Sequence, residues 1–245
     1  MRVRVTSPAD TLTFHDMGFG QQGAGWLTDA GVTGWFGAVK PREEGVDIPQ
    51  QDGCYMPARL TSAGRTVTVN GAVVARSSVE AAAWRDRIND LAGRRLTLTV
   101  EDASGERGAV CWLADDPEPS MWVRGDVFTF ALVLYCPDPL KYGAETVFGP
   151  AGSGPLTVSN DGLAASWPRV RVDGRVSGLR LSCGDGVVEW RGDADGLDLD
   201  FRDMLPGAGA VSVNRPWRVP PGVSTVHVTV SQGARVSMMV RPAWR

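Results

Sequence analysis

Apolar and polar residues alternate with a period of two in several short runs of this chain, and each run is expected to be a β-strand with one buried face. RVRVT near the start has this pattern, and TGWFGAV at 33–39 is expected to be another strand. RTVTVNGAVVA at 65–75 puts Val67 and Val69 on one face, with Asn70-Gly71 read as a tight hairpin turn or a kink. RRLTLTVED and GAVCWLADD flank a polar DASGER turn, so Leu96, Leu98 and Val100 point inward from one arm of a hairpin. In VFTFALVLY at 127–135, Phe128, Phe130, Leu132 and Leu134 fill one face and smaller residues the other, which suits a central strand.

One segment follows a helical period instead. Ser77 and Glu80 have capping-box spacing, Trp84, Ile88 and Leu91 form a stripe at i, i+4 and i+7, and Gly93 is placed to stop the helix. Between Lys40 and Pro57 there is no period at all. Three prolines and several charges there predict a long excursion, whose Val46, Ile48, Tyr55 and Met56 are apolar anchors for a partner rather than for a core.

The pattern changes again near residue 143. PLTVS, PRVRVDG, LRLSC, VVEWR, LDLDF, VSTVHVTVS and ARVSMMVR are short strands between Gly, Asn and Asp turns, the spacing of an antiparallel sandwich. The expected fold is mainly β: an α+β N-terminal domain over 1–143, with one helix packed on a sheet, and an all-β C-terminal domain over 144–245. YCPDPLKYG at 135–143 joins them. Pro137 and Pro139 lack backbone donors and push Cys136 and Asp138 out of the helical region, so the ladder must end and a stiff connector running to Tyr142 follows.

Composition narrows the function. The chain has 30 Gly and 16 Pro among 245 residues, which favours many turns. Its net charge is −3, with 14 basic against 19 acidic side chains in residues 1–145, so no basic face for tight nucleic-acid binding is expected. The start has no apolar leader and no stretch is apolar enough to span a membrane, which reads as a soluble, unprocessed chain without a membrane partner. Cys54, Cys111, Cys136 and Cys183 lack metal-ligand spacing and read as reduced thiols serving as small hydrophobes.

Candidate chemistry is thin. GFGQQG at 18–23 spells a dinucleotide-binding loop, with Glu43 near the place of a ribose-binding acid, but the glycines in AGWLTDAGVTG argue against the helix such a loop needs. DADGLDLD at 193–200 lacks the Gly and Glu of a calcium loop; it reads as a strand with Asp195-Gly196 as its turn and Asp198 and Asp200 facing water. Those two aspartates have a spacing found in glycosidase pairs, yet nothing local separates their pKa values. His15 and His227 are the only histidines, and no nucleophile motif accompanies them. No catalytic residue, metal or cofactor is expected. Nine tryptophans raise carbohydrate stacking, but the galectin sugar motifs H-x-N-P-R and W-x-x-E-x-R are missing around Trp190, and most of the indoles are expected in cores.

Asp138-Pro-Leu-Lys-Tyr142, then Asn160, Gly162, Pro168 and Gly174 in NDGLAASWPRVRVDG, then PPG at 220–222 and Trp244, resemble in their order the distal tail proteins of long-tailed bacteriophages. The resemblance covers nearly the whole chain. It implies an N-terminal domain that forms a hexameric ring at the end of the tail tube, with a galectin-like sandwich outside. It also implies a tail-tip location after assembly in the host cytoplasm, a tube protein and a tip protein as neighbours, and DNA passing the lumen without specific binding. A carbohydrate-binding module contacting host glycans is the alternative.

Overall fold

The computed structural model describes residues 1–16, 22–122 and 125–245. They fall into two compact units, Met1–Lys141 together with Arg245, and Tyr142–Trp244. Among the described residues no helix is long and apolar enough to cross a membrane.

The first unit contains β1 (Arg2–Thr6), β2 (Thr11–His15), β3 (Ala24–Thr33), β4 (Val46–Asp47), β5 (Cys54–Tyr55), β6 (Arg65–Val74), helix α1 (Ser78–Asn89), β7 (Leu96–Asp102), β8 (Gly105–Leu113), β9 (Ser120–Met121), β10 (Val127–Cys136) and β11 (Lys141–Tyr142) at its boundary. Its sheet closes on itself in the order β8, β7, β1, β2, β3, β6, β10 and back to β8. Closure pairs strands that would otherwise be open edges. The seam is short, Leu134 opposite Leu113 and Tyr135 opposite Trp112, whereas β6 and β10 pair along ten residues from Val127–Val74 to Cys136–Arg65.

Period two explains the interior. Phe128, Phe130, Leu132, Leu134 and Cys136 of β10 are buried and the residues between them are not. Ser77 Oγ accepts the Glu80 N–H (3.2 Å) and starts α1, whose Ala81, Trp84 and Ile88, with Leu91 just beyond, enter the same core. The Glu80 carboxylate takes the Arg76 N–H and guanidinium, which hold its pKa down to about 2. Gly93 follows the helix at φ 71°.

Two expectations for this unit need correction. Thr33 is the last residue of β3, and 34–37 bend away from the sheet, so the strand is AGWLTDAGVT and not TGWFGAV; its glycines and polar residues obscure the alternation. Asn70-Gly71 is not a turn but the interior of β6, opposite a register shift in β3 between Leu27 and Val32. A Cβ on Gly71 would meet the ring of Phe130, so glycine there makes room for an aromatic on the neighbouring strand.

The second unit is built from β12 (Thr146–Ala151), β13 (Gly154–Asn160), β14 (Arg169–Cys183), β15 (Gly186–Asp200), β16 (Ala210–Arg215), β17 (Gly222–Val230), β18 (Arg235–Val240) and β19 (Ala243–Trp244). PRVRVDG and LRLSC are one strand, β14, and VVEWR and LDLD are another, β15. The two form a long hairpin with register shifts near Val172–Arg175 and Val176–Gly178. The first half of β14 pairs β18 and the second half pairs β17, so one hairpin contributes to both parts of the sheet around a core centred on Trp190, Phe201 and Leu199. Asp195-Gly196 therefore lies inside a strand, and the turn is Gly184-Asp185, between paired Cys183 and Gly186.

Asn160 is fully buried with its amide engaged: Nδ2 donates to the carbonyls of Ala164 and Val219 (both 2.9 Å) and Oδ1 accepts the Gly162 N–H (3.0 Å). A Cβ on Gly162 would run into the backbone of Ala243. The N-x-G pattern is thus a fold device, pinning the 160–164 turn beneath the C-terminal strand.

Candidate assembly surface

Residues 34–64 leave the barrel after β3 and return at β6. Their legs are paired. Pro41 bridges Ser62, the Arg42 N–H donates to the Thr61 carbonyl (2.8 Å), and the Glu43 carboxylate accepts both the N–H (2.7 Å) and the hydroxyl of Thr61. These bonds from Thr61 hold the Glu43 carboxyl below its ordinary pKa. Farther out, β4 and β5 form a small hairpin with Val46 opposite Tyr55 and Asp47 opposite Cys54. The Ile48 N–H donates to the Gly53 carbonyl (3.1 Å) and closes the tip.

This projection carries apolar side chains without a core. Val46, Tyr55 and Met56 are 69, 58 and 78 % exposed, Ile48 is half-buried, and Phe36 and Leu60 are exposed as well. Five exposed and one half-buried large apolar side chains within one 31-residue segment, with Val46 directly opposite Tyr55, are more than scattered surface hydrophobics would give.

The base of the projection rests on two buried cations. Arg65 is 3 % exposed and donates through Nη1 to the carbonyls of Gly34 (2.8 Å), Trp35 (3.0 Å) and Gly37 (2.9 Å), and through Nε to the carbonyl of Pro139 (3.2 Å). Lys141 is 5 % exposed; its Nζ donates to the Trp35 carbonyl (3.1 Å) and lies 5.7 Å from the centre of the Trp35 ring. Burial, then repulsion from Arg65 and Arg107, push Lys141 down to about 8. Burial also lowers Arg65, which nonetheless stays charged at any neutral pH.

Pro137, Asp138 and Pro139 lie between β10 and β11. The Leu140 N–H donates to Asp138 Oδ1 (3.0 Å), closing a side-chain turn, and the Pro139 carbonyl is the one held by Arg65. One guanidinium therefore holds the start of the excursion and this proline segment together. Tyr142 belongs to the second unit, where the Arg241 guanidinium sits 4.9 Å from its ring centre. Of the expected contact and joint residues, Val46 and Tyr55 are brought together, while Pro139 meets the base of the excursion through Arg65.

Arg65, Lys141 and Trp35 are the organising residues that sequence reasoning missed. The signal for Arg65 was present: it is in phase with Val67, Val69 and Val73 on the inward face of β6, so a charge stands where the alternation calls for an apolar side chain.

The other candidate groups are scattered over the two units. Residues 18–21 of GFGQQG lie outside the described residues; 24–33 is a strand, so the loop lacks the helix that phosphate binding requires. Asp198 accepts two 2.7 Å hydrogen bonds from Arg169 with Arg171 at 3.8 Å, Asp193 accepts from Arg175 (2.7 and 3.0 Å), and the Asp200 Oδ1 takes the Arg202 N–H (2.8 Å). His227 points to the exposed face of β17, opposite buried Val226 and Val228, and His15 lies beside Trp26, ring centres 5.9 Å apart.

Trp26, Trp35, Trp84 and Trp190 are buried, Trp112 and Trp122 exposed, and Trp167, Trp217 and Trp244 half-buried. In the second unit Arg218 covers Trp167 and Phe201 packs edge-on against Trp217. A shallow 420 Å³ depression there is lined by Arg180, Glu189, Arg191 and Thr229, over a Trp190 that is 1 % exposed.

No protein-family model and no curated protein matches the chain. Solved structures do. The crystal structure of the SPP1 Dit protein, described as a paradigm of the hub adsorption apparatus in phages infecting Gram-positive bacteria, superposes with a TM-score of 0.65 at 16 % identity, covering 89 % of this chain and 94 % of that one. Chains of the phage p2 baseplate in its activated conformation superpose with TM-scores of 0.57 (strontium form, 98 % of each chain) and 0.54 (calcium form, 99 % of this chain and 98 % of that one), both at 10 % identity. The chain has the fold of these phage hub and baseplate proteins over most of its length.

Proposed function

We propose that this chain is a non-catalytic hub of a phage tail tip, a hexameric ring that joins the tail tube to the tip complex. The observation that carries the proposal is the fold shared with the SPP1 hub protein across 89 % of the chain. The first unit supplies the ring, and the second, a galectin-like sandwich, hangs outside it. The 34–64 projection docks on a neighbouring subunit or on the tube, which gives its exposed apolar side chains a partner. DNA passes the lumen unbound, in keeping with the acidic balance of residues 1–145. The protein works in the virion after assembly in the host cytoplasm.

Light scattering on the purified chain tests the ring: a mass of six 26.2 kDa protomers is expected, and a monomer across the micromolar range overturns it. Replacing Val46, Tyr55 and Met56 together with Ser should leave the melting temperature within about 2 °C, because exposed positions carry little folding energy, while impairing assembly on the ring or the tube. Unimpaired assembly assigns the projection to something else. The carbohydrate-binding reading has less support, because in the second unit Trp190 is buried, Arg218 lies over Trp167, and Trp217 and Trp244 are half-buried.

A further inference from the structure

Among the described residues the first barrel closes through a short seam between β8 and β10, Leu134 with Leu113 and Tyr135 with Trp112, followed by the Ala114 N–H bond to the Val133 carbonyl (2.7 Å). The paired positions end at Tyr135 and Trp112, and the next residues along the same antiparallel register are Cys136 and Cys111. The outward pair on the seam is an aromatic contact, Trp112 against Tyr135 with centroids 4.9 Å apart. The inward pair is two thiols, 1 and 0 % exposed, in one core cluster, close enough for each to shift the pKa of the other. Opposed residues on antiparallel strands have Cα atoms about 4.5–5.5 Å apart, within the range of about 4.4–6.8 Å that a disulfide spans.

We infer that Cys111 and Cys136 are a redox-switchable pair whose disulfide staples the seam of the first barrel. With oxidised glutathione as oxidant, the Cys136 thiolate attacks one sulfur, the glutathione S–S bond breaks and one glutathione thiolate leaves. Cys111 then loses its proton and attacks the Cys136 sulfur of the mixed disulfide, expelling the second glutathione. Two protein thiols are oxidised to one disulfide, and two electrons and two protons end on two reduced glutathiones.

The surroundings assign these roles. The neighbouring Cys111 thiol, with help from the Arg65 guanidinium, lowers Cys136 against the opposing effects of burial and Asp138, whereas the same thiol contact and burial push Cys111 up. Because both sulfurs are buried, oxidation of the folded reduced barrel waits on opening of the seam and is slow, while oxidation during refolding is fast. Cys136 pairs with Arg65 and precedes Pro137, so the staple fixes the base of the assembly surface. A particle built in a reducing cytosol and then released would gain the staple outside the cell; that timing rests on the hub reading, and the crosslink does not.

The test uses the full chain with Cys54→Ser and Cys183→Ser to remove the other thiols. It is refolded from urea in a glutathione buffer of extracellular ratio, then mapped by mass spectrometry. A linked Cys111–Cys136 peptide, a melting temperature about 5–10 °C above the reduced form, and return to free thiols at a cytosolic glutathione ratio are expected. Alkylation of both cysteines after oxidative refolding, or a linked form that melts no higher, overturns the inference. Adding Cys136→Ser should abolish the oxidant's effect on melting, and an unchanged effect would also overturn it.

Discussion

In the first unit Arg65 and Lys141 are buried and donate to backbone carbonyls, whereas in the second Arg169, Arg175 and Arg180 lie on the surface across from Asp198, Asp193 and Glu189. The same charge does different work in the two places. A buried guanidinium has given up its water, so each carbonyl it touches depends on it and it depends on them. An exposed one exchanges a carboxylate for water at little net change, and salt screens what remains. The cations that shape the molecule are therefore the ones without an acidic partner at hydrogen-bond distance.

The sharpest way to break this comparison is Arg65→Leu. It removes the buried bond to the Trp35 carbonyl and the part-buried bonds to those of Gly34, Gly37 and Pro139, and should cost roughly 2 kcal/mol in urea unfolding, at about 1–3 kcal/mol per abandoned buried group and less for the part-buried ones. Limited proteolysis should then cut first within 34–64, where the base has come free. Arg65→Lys keeps the charge but not the fork, and should fall between leucine and wild type. A loss below about 1 kcal/mol for the leucine variant would erase the contrast between the units.

Lys141 sharpens the comparison through pH. Its folded pKa is depressed to about 8, against about 10.4 for an unfolded lysine, so between those values the unfolded chain holds more protons. The cost of burying the ammonium is thus fully present below about pH 8, and stability attributable to Lys141 rises as pH climbs from about 8 toward 10. Lys141→Met removes the titration. The stability difference between wild type and the methionine variant, followed by urea melts at pH 7 and pH 10, should move in favour of wild type by about 2 kcal/mol. A difference that is flat with pH would show that the ammonium is not held dry.

How far these features were legible depends on how local their causes are. The hairpin of β7 and β8, the faces of β10 and the capped helix α1 follow from spacing within a few residues, and the alternation or stripe announces each. Gly71 is different: its reason is the Phe130 ring on another strand, and Asn-Gly in isolation carries the signature of a turn. The fused strands β14 and β15 fail for a related reason, since Gly174 and Gly196 look like breaks where the hairpin only shifts register. In the excursion, prolines and missing period mark an outlying segment and single out Val46, Tyr55 and Met56, but its fastening to the barrel comes from Arg65 and Lys141, far away in sequence. Only the phase of Arg65 within β6 betrays it.

The smallest expected effect closes the comparison from the other side. Arg169 makes two 2.7 Å hydrogen bonds to Asp198, a geometry that resembles a strong ion pair, yet both side chains are substantially exposed. Asp198 also has Arg171 directly opposite it in the hairpin register, at 3.8 Å, so loss of Arg169 leaves the carboxylate with a cation still in reach. Arg169→Ala should therefore cost no more than about 1 kcal/mol in dilute buffer. In about 1 M salt, where the screening length falls to about 3 Å, the difference from wild type should shrink toward zero. A loss above about 2 kcal/mol that survives high salt would mean that this surface pair, like Arg65, holds its strands through groups that water cannot replace.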